Sequence, residues 1–211
     1  MGSSPLRMAV MLSGSGTTLQ NFFDKIDSGL LPARVVEVVS SRADAFGLER
    51  AKRRGVSAHV FPRRRYATLA AYTRDVFAPI RDSGAELVAL AGFMVRIGVP
   101  PDFRNRIMNV HPALIPAFCG KGMYGHFVHE AVIASGVKIT GCTVHFVDEQ
   151  YDHGPIILQR AVEVADDDTP ESLGARVQAA EREAYPEAVR LFAEGRLKVE
   201  GRRVRVLPAV T

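Results

Sequence analysis

The chain has 211 residues, of which 47% are hydrophobic and 24% are charged, as in an ordinary soluble globular protein with room for a full α/β core. No apolar run approaches membrane-spanning length and the first residues lack a secretory signal, so we expect neither membrane insertion nor export. The formal net charge is +4, but the basic runs at 52–54, 63–65 and 202–205 are scattered and lack interleaved aromatic residues, which argues against a nucleic-acid surface.

Hydrophobic periodicity predicts strands that alternate with helices. Strands are expected at residues 6–12, 33–40, 58–61, 87–91, 106–110, 139–147 and 155–164, and a hairpin at 199–206. Helices are expected from residue 17, at 46–54, 67–82 and 127–135, and from Pro170 to about Gly195 after an N-cap at Thr169. The pattern predicts a Rossmann-like α/β fold, a mostly parallel twisted sheet with helices on both faces and an antiparallel strand near the end. We expect one domain over residues 1–211, with a core at about 8–198.

A glycine-rich loop, Gly14-Ser15-Gly16-Thr17-Thr18, joins the first strand to the first helix. Its backbone amides at a helix N-terminus suit a phosphate group, although a tight strand-to-helix turn would explain the same residues. Leu19 stands where the dinucleotide fingerprint needs a third glycine, so a dinucleotide-binding oxidoreductase is a weaker alternative.

The run Met108-Asn109-Val110-His111-Pro112 places Asn109 and His111 on one face of a strand that Pro112 brings to an end. Ligands bind at the carboxyl ends of strands in open α/β sheets. An amide and an imidazole that converge there can stabilise and protonate an oxyanion, the chemistry of acyl transfer.

His145 lies on a later strand, and Asp152 lies in the acidic turn that follows it. A carboxylate close to His111 would favour the imidazolium and raise the pKa of that histidine. The same acidic residues could also be solvated turn formers.

Several other polar residues could bind ligands but could also have ordinary structural roles. His126 and His129 could bind a metal at their three-residue spacing, but no third ligand stands out, and Cys119 and Cys142 have no metal-ligand spacing. We therefore expect no metal, and reduced cysteines in a cytoplasmic protein. The run 120–125 is typical of a mobile loop. Gln178 and Glu181 share a helix face, where they could bind hydroxyl groups or be exposed to solvent.

Four segments together resemble the phosphoribosylglycinamide formyltransferase branch of the folate-dependent formyltransferase family. They are 13–20 (SGSGTTLQ), 90–94 (LAGFM), 109–116 (NVHPALIP) and 143–147 (TVHFV) with Asp152. The resemblance extends over about residues 8–198. It implies a purine-biosynthesis enzyme that transfers a formyl group from 10-formyltetrahydrofolate, a co-substrate, to the amine of 5'-phosphoribosylglycinamide.

The resemblance also implies roles for particular residues. Asn109, His111 and Asp152 match the catalytic trio, with His145 in support. Positions that bind the substrate phosphate are matched by Gly16, Thr17 and Thr18, and those that bind its ribose by Gln178 and Glu181. The segment that lines the folate pocket is matched by Phe93, Met94, Val95 and Ile97. We expect small-molecule partners only, in a monomer or homodimer.

The chain departs from the family pattern in three places. Arg96 follows Val95 where relatives often have a single arginine before the isoleucine. Leu69 occupies the position of an arginine that helps to bind folate in some relatives, a contact that is lost or moved to residues 63–65. The loop at residues 121–125 is longer than in the shortest relatives. The alternatives within the family are a formyltetrahydrofolate hydrolase and a formyltransferase for a sugar amine or a charged tRNA. A non-catalytic binding protein would explain the glycine loop but not the histidines and Asp152.

Overall fold

A computed structural model describes residues 4–209, and every structural statement below concerns those residues. The chain divides into two compact units, Met1–Met108 and Asn109–Thr211. The division falls inside strand β5 (Ile107–His111), so this strand begins in the first unit and ends in the second.

The first unit contains parallel strands that alternate with helices. Its strands are β1 (Leu6–Leu12), β2 (Ala33–Ser40), β3 (Ser57–Val60), β4 (Leu87–Leu90) and the beginning of β5. Its helices are α1 (Thr17–Asp27), α2 (Phe46–Arg53) and α3 (Leu69–Asp82), with 3-10 turns at Arg63–Arg65 and Pro101–Phe103. The strand order is β3-β2-β1-β4-β5, and β1 pairs in parallel with both β2 and β4.

The strand order of the first unit reverses direction at β1. From β1 the chain moves outward to β2 and β3, and it then crosses back to β4 on the other side of β1. Right-handed crossovers therefore place α1 and α2 on one face and α3 on the other. In open α/β sheets, ligands bind in the crevice at the carboxyl ends of the strands where the strand order reverses.

The second unit begins with the end of β5 and has a more mixed sheet. It contains β6 (Ile139–Phe146), β7 (Ile156–Glu163), β8 (Leu197–Glu200) and β9 (Arg203–Val206), in the order β5-β6-β7-β9-β8. Its helices are α4 (His126–Ser135) and α5 (Pro170–Ala193). Strands β6 and β7 are antiparallel, as are β8 and β9, while β7 and β9 pair in parallel.

Local sequence explains where the helices of the second unit begin and end, and where the chain turns between two of its strands. Helix α5 begins at a capping box, in which the Thr169 hydroxyl accepts from the Ser172 amide and the Ser172 hydroxyl accepts from the Thr169 amide. Gly136 ends α4 in the left-handed conformation. In the turn between β6 and β7, a Cβ atom on Gly154 would lie 1.8 Å from the Phe146 carbonyl oxygen, so this position requires glycine.

The predicted fold class is confirmed, and most element boundaries agree within two residues. Helix α3 begins at Leu69 instead of residue 67, because the Thr68 side chain caps it by accepting from the Ala71 amide. Strand β5 extends one residue further than predicted, so His111 is its last residue. The two 3-10 turns were not predicted. Among the described residues, none of the helices combines the length and apolarity that crossing a membrane would require.

Candidate active site

Strands β5 and β6 bring three predicted side chains of the second unit together. Asn109 and His111 lie at the end of β5, and His145 lies near the end of the neighbouring β6. The Asn109 amide nitrogen is 3.4 Å from His145 Nε2. Both histidines are buried, and Asn109 is half-buried. The shared face predicted for Asn109 and His111 therefore belongs to a cluster that also contains His145.

Asp152 lies between the two histidines in the turn that joins β6 to β7. Its Oδ2 is 3.5 Å from His111 Nδ1, and its Oδ1 is 3.7 Å from His145 Nε2. The Gly120 backbone amide donates to the same Oδ2 at 3.0 Å. Asp152 has a left-handed backbone (φ 52°), and its side chain is 12% exposed. The solvated-turn interpretation of this residue does not describe its environment.

Hydrogen bonds assign a donor to each histidine ring. His111 donates from Nε2 to the Phe118 carbonyl oxygen at 2.8 Å, so Nδ1 faces the Asp152 carboxylate. His145 donates from Nδ1 to the Phe146 carbonyl oxygen at 2.8 Å, and its Nε2 faces both the Asn109 amide and the Asp152 carboxylate. The Asn109 amide carries two hydrogens, so it has a donor available for a ligand.

Burial sets the direction of the His111 pKa. Burial lowers the pKa of the imidazole, and this effect exceeds the opposing effects of the Asp152 charge and the Phe118 carbonyl. The contribution of Asp152 has the predicted sign, but burial of the ring outweighs it, so the net pKa of His111 is lowered. Sequence reasoning located the carboxylate and could not weigh it against burial of the ring.

Asp152 keeps its charge despite its own burial. Burial opposes ionisation, but the interaction with His145, the His111 charge and the Gly120 amide outweigh it and lower the Asp152 pKa. The turn therefore places an ionised carboxylate beside both rings at neutral pH.

Thr143 holds the segment that follows His111. Its buried hydroxyl donates to the Ala113 carbonyl oxygen at 2.7 Å and accepts from the Ile115 amide at 3.0 Å. The Gln159 side chain also donates to this hydroxyl, at 2.9 Å, and to the Ile115 carbonyl oxygen at 3.1 Å. This network fixes the backbone between His111 and Phe118.

The two predicted binding segments of the first unit lie next to each other. The glycine loop follows β1, and residues 93–97 follow the neighbouring β4. Ser13 connects them, because its hydroxyl accepts from the Met94 amide at 2.9 Å and its amide donates to the Gly92 carbonyl at 3.1 Å. In the predicted folate segment, Met94 is exposed, Phe93 and Val95 are half-buried, and Ile97 is buried.

The glycine loop opens α1 as predicted. Gly16 adopts a left-handed conformation (φ 69°) and precedes Thr17, the first residue of the helix. Thr17 is exposed and Thr18 is half-buried, while Gly16 is buried against α2. A Cβ atom on Gly16 would lie 2.6 Å from the Gly47 Cα atom, so a larger residue here would disturb the fold itself.

The two predicted ribose ligands have different environments on α5. Gln178 is exposed and accepts from the Arg182 guanidinium at 3.1 Å. Burial raises the pKa of Glu181 to about 7, and the nearby Cys142 thiol has a pKa raised to about 12 by burial and by Glu181. Glu181 is therefore a carboxyl group that changes charge near neutral pH.

The histidines of α4 and the two cysteines were the remaining candidates for metal ligands. His126 is exposed and pairs with Glu130 at 3.1 Å, whereas His129 is buried and its pKa is lowered by burial. Within residues 4–209, no three His, Cys, Asp or Glu side chains are grouped so that they could hold a metal ion. Cys119 and Cys142 are free thiols.

Sequence reasoning missed the backbone groups of the site. The Phe118 carbonyl and the Gly120 amide contact His111 and Asp152, but a backbone group has no residue-type signature. One indirect signal was available, because a glycine in a loop often marks a positive φ, and Gly120 has φ 98°.

Comparisons with known proteins agree with this geometry. A sequence profile described as formyl transferase matches residues 6–189. The chain is 39% identical to a chloroplastic phosphoribosylglycinamide formyltransferase of Arabidopsis thaliana, with 91% of this chain and 67% of the relative covered. It is 36% identical to the phosphoribosylglycinamide formyltransferase of Escherichia coli, with 92% and 90% covered. Trifunctional purine biosynthetic proteins of animals match as well, but the chain spans only 19% of the Gallus gallus protein.

A solved structure extends the likeness to the backbone. The crystal structure of glycinamide ribonucleotide transformylase 1 from Symbiobacterium toebii superposes with a TM-score of 0.90 at 46% identity. The match covers 98% of this chain and 96% of that one. The matched residues 6–189 of the sequence profile include all of the predicted site residues.

We expect Asp152→Asn to lower the His111 pKa further, because it removes the carboxylate that favours the imidazolium. NMR titration of the His111 ring measures the shift. Asp148→Asn is the matched control, since Asp148 lies in the same turn and accepts from His153. An equal His111 pKa in wild type and Asp152→Asn would show that the two groups do not interact.

Gly120→Ala should raise the Asp152 pKa, because alanine is strained at φ 98° and the amide that stabilises the carboxylate would move. Gly122→Ala imposes similar strain at φ 91°, and both glycines have open space for a Cβ atom. Carbon-detected NMR titration of the carboxyl group compares the two variants. Equal Asp152 pKa values in both would contradict a specific role for the Gly120 amide.

Proposed function

The chain belongs to the formyl transferase family, and we propose that it transfers a formyl group from 10-formyltetrahydrofolate to the amine of 5'-phosphoribosylglycinamide, in purine biosynthesis. The observation that carries this proposal is the convergence of Asn109, His111 and an ionised Asp152 at the carboxyl ends of two neighbouring strands. This arrangement can stabilise a developing oxyanion and accept a proton, which are the two requirements of acyl transfer to an amine.

The proposal includes a single formyltransferase domain that uses small-molecule substrates. The family match over residues 6–189 covers most of each compact unit, which supports one domain. 10-Formyltetrahydrofolate is the co-substrate, and no metal takes part. A cytoplasmic location and a monomeric or homodimeric state stay predictions.

In the proposed reaction the neutral substrate amine attacks the formyl carbon, and negative charge develops on the formyl oxygen. The free hydrogen of the Asn109 amide and a protonated His111 stabilise this charge, and Asp152 accepts the proton that the amine loses. Breaking the bond between the formyl carbon and the folate nitrogen completes the transfer, and the proton that Asp152 accepted passes to that nitrogen. These interactions are stronger in the transition state than with the substrates, as catalysis requires.

The lowered His111 pKa is consistent with this role. A histidine with a lowered pKa is a stronger acid, and an oxyanion beside it favours the charged ring at the stage when a proton is needed. The Nε2 hydrogen of His111 already donates to the Phe118 carbonyl. Donation from this atom to a substrate oxygen therefore requires the Phe118 carbonyl to share or release the hydrogen.

The remaining assignments, to the phosphate, the ribose and the folate, follow the family match. Backbone amides of Gly16, Thr17 and Thr18 at the α1 N-terminus bind the substrate phosphate. Gln178 and Glu181 bind the ribose hydroxyls. The backbone and side chains of Phe93, Met94, Val95 and Ile97 line the folate pocket, where the exposed Met94 side chain offers apolar surface.

The purified protein should transfer formyl from 10-formyltetrahydrofolate to glycinamide ribonucleotide. His111→Ala and Asn109→Ala should each lower kcat by ~10²–10³, the usual cost of one oxyanion donor. Near wild-type kcat in either variant would contradict its catalytic role. Formate release at the same rate without the amine would favour a hydrolase, and transfer only to a sugar amine would favour that alternative.

Glu181 should make substrate affinity depend on pH. Ribose hydroxyls donate to a carboxylate, so substrate binds best when Glu181 is ionised, above its pKa of about 7. KM for glycinamide ribonucleotide should therefore rise as pH falls from 8 to 6. Glu181→Gln should weaken binding at pH 8 and remove this dependence. A variant that keeps the wild-type pH profile of KM would show that another group is responsible.

A further inference from the structure

We propose that Arg50 is a positioning residue that orients the glycine loop, so that the amides of residues 15 and 16 face the substrate phosphate. This inference rests on the proposed function. It concerns the first unit alone, where helix α2 contacts the loop from the side opposite the proposed anion. No catalytic contact is assigned to Arg50.

Two donors on α2 hold consecutive carbonyl groups of the loop. The Gly47 amide donates to the Gly14 carbonyl oxygen at 3.1 Å. The Arg50 side chain donates from Nε to the Ser15 carbonyl oxygen at 2.9 Å. Both carbonyls therefore point toward α2.

The direction of the carbonyls determines the direction of the amides. In a trans peptide the C=O and N–H bonds point in opposite directions, and both of these peptides are trans. The N–H groups of Ser15 and Gly16 consequently point away from α2. Successive amides on one side of a left-handed turn form a concavity that binds anions.

Arg50 is itself held in place. A second guanidinium nitrogen donates to the Gln20 side-chain oxygen at 3.0 Å, and the guanidinium lies 5.0 Å from the centre of the Phe46 ring. The close approach of Gly16 and Gly47 brings the helix near enough for these contacts. A rigid planar guanidinium can satisfy two acceptors at once, which the single ammonium of lysine does less well.

Arg53 provides a matched control on the same helix. Its guanidinium lies 5.8 Å from the same Phe46 ring, so Arg53→Met removes an equal charge from a neighbouring position. Arg50→Met removes the charge together with the bond to the Ser15 carbonyl. The difference between the two variants therefore isolates the orientation of the loop from the net charge of α2.

The experiment measures kcat and KM for glycinamide ribonucleotide at saturating 10-formyltetrahydrofolate. Arg50→Met should raise KM about tenfold or more, as expected when the misaligned loop loses one charge-assisted hydrogen bond to the phosphate, with kcat within about threefold of wild type. Arg53→Met should change KM less than about twofold. Arg50→Lys should give an intermediate KM, because the charge remains and the paired contact does not.

Each other result overturns the inference. It fails if Arg50→Met and Arg53→Met raise KM equally, if Arg50→Lys equals wild type, or if Arg50→Met lowers kcat with KM unchanged. Should Arg50→Met not fold, the comparison of Arg50→Lys with Arg53→Lys decides in the same way. A wild-type protein that transfers no formyl to glycinamide ribonucleotide would instead contradict the proposed function.

Discussion

The proposed catalytic cluster of the second unit depends on one carboxylate, whose side chain is 12% exposed. Asp152 is the only member of the cluster that contacts both histidines and a backbone amide among the described residues. A buried charge is stable when surrounding donors compensate its desolvation, and here three groups do so. The carboxylate in turn reduces the cost of charging His111. Removal of Asp152 would therefore change the ionisation of the ring, and it would leave the Gly120 amide without this acceptor.

Backbone groups provide much of the precision around this carboxylate. The Phe118 carbonyl fixes the hydrogen on His111, and Phe118 itself has a positive φ of 49°. The Gly120 amide fixes Asp152 two residues later. One short segment thus contacts both His111 and Asp152, while Thr143 and Gln159 anchor the chain that leads to it. The first unit uses the same principle, since α2 holds two loop carbonyls and thereby directs the amides.

The alternation of apolar runs and helical spacing predicted the α/β class. A strand that is buried on both faces has a continuous apolar sequence, as β4 does. The residues of the proposed catalytic cluster were also predictable from residue type and position. Asn109 and His111 are polar side chains at the end of a strand, and Asp152 is a carboxylate in the turn after another strand. The net pKa of His111 was not, because it depends on how much burial opposes a neighbouring charge. The contacts of Arg50 were equally hidden, because an arginine on an amphipathic helix is usually solvated, and its acceptor is a carbonyl 35 residues away.

The contrast between Asp152 and Glu181 explains how one unit can use two carboxyl groups differently. Both residues are half-buried, yet the pKa of Asp152 is lowered and that of Glu181 is raised to about 7. Neighbouring rings and an amide compensate burial at Asp152, whereas within the described residues burial alone sets the direction of the Glu181 pKa. Two carboxyl groups whose surroundings shift their pKa values apart can take different roles in one site. In the proposed reaction Asp152 is already ionised when it accepts a proton, while Glu181 gains compensating donors when ribose hydroxyls bind. The proposed function thus assigns proton transfer and substrate binding to two carboxyl groups whose pKa values are shifted in opposite directions.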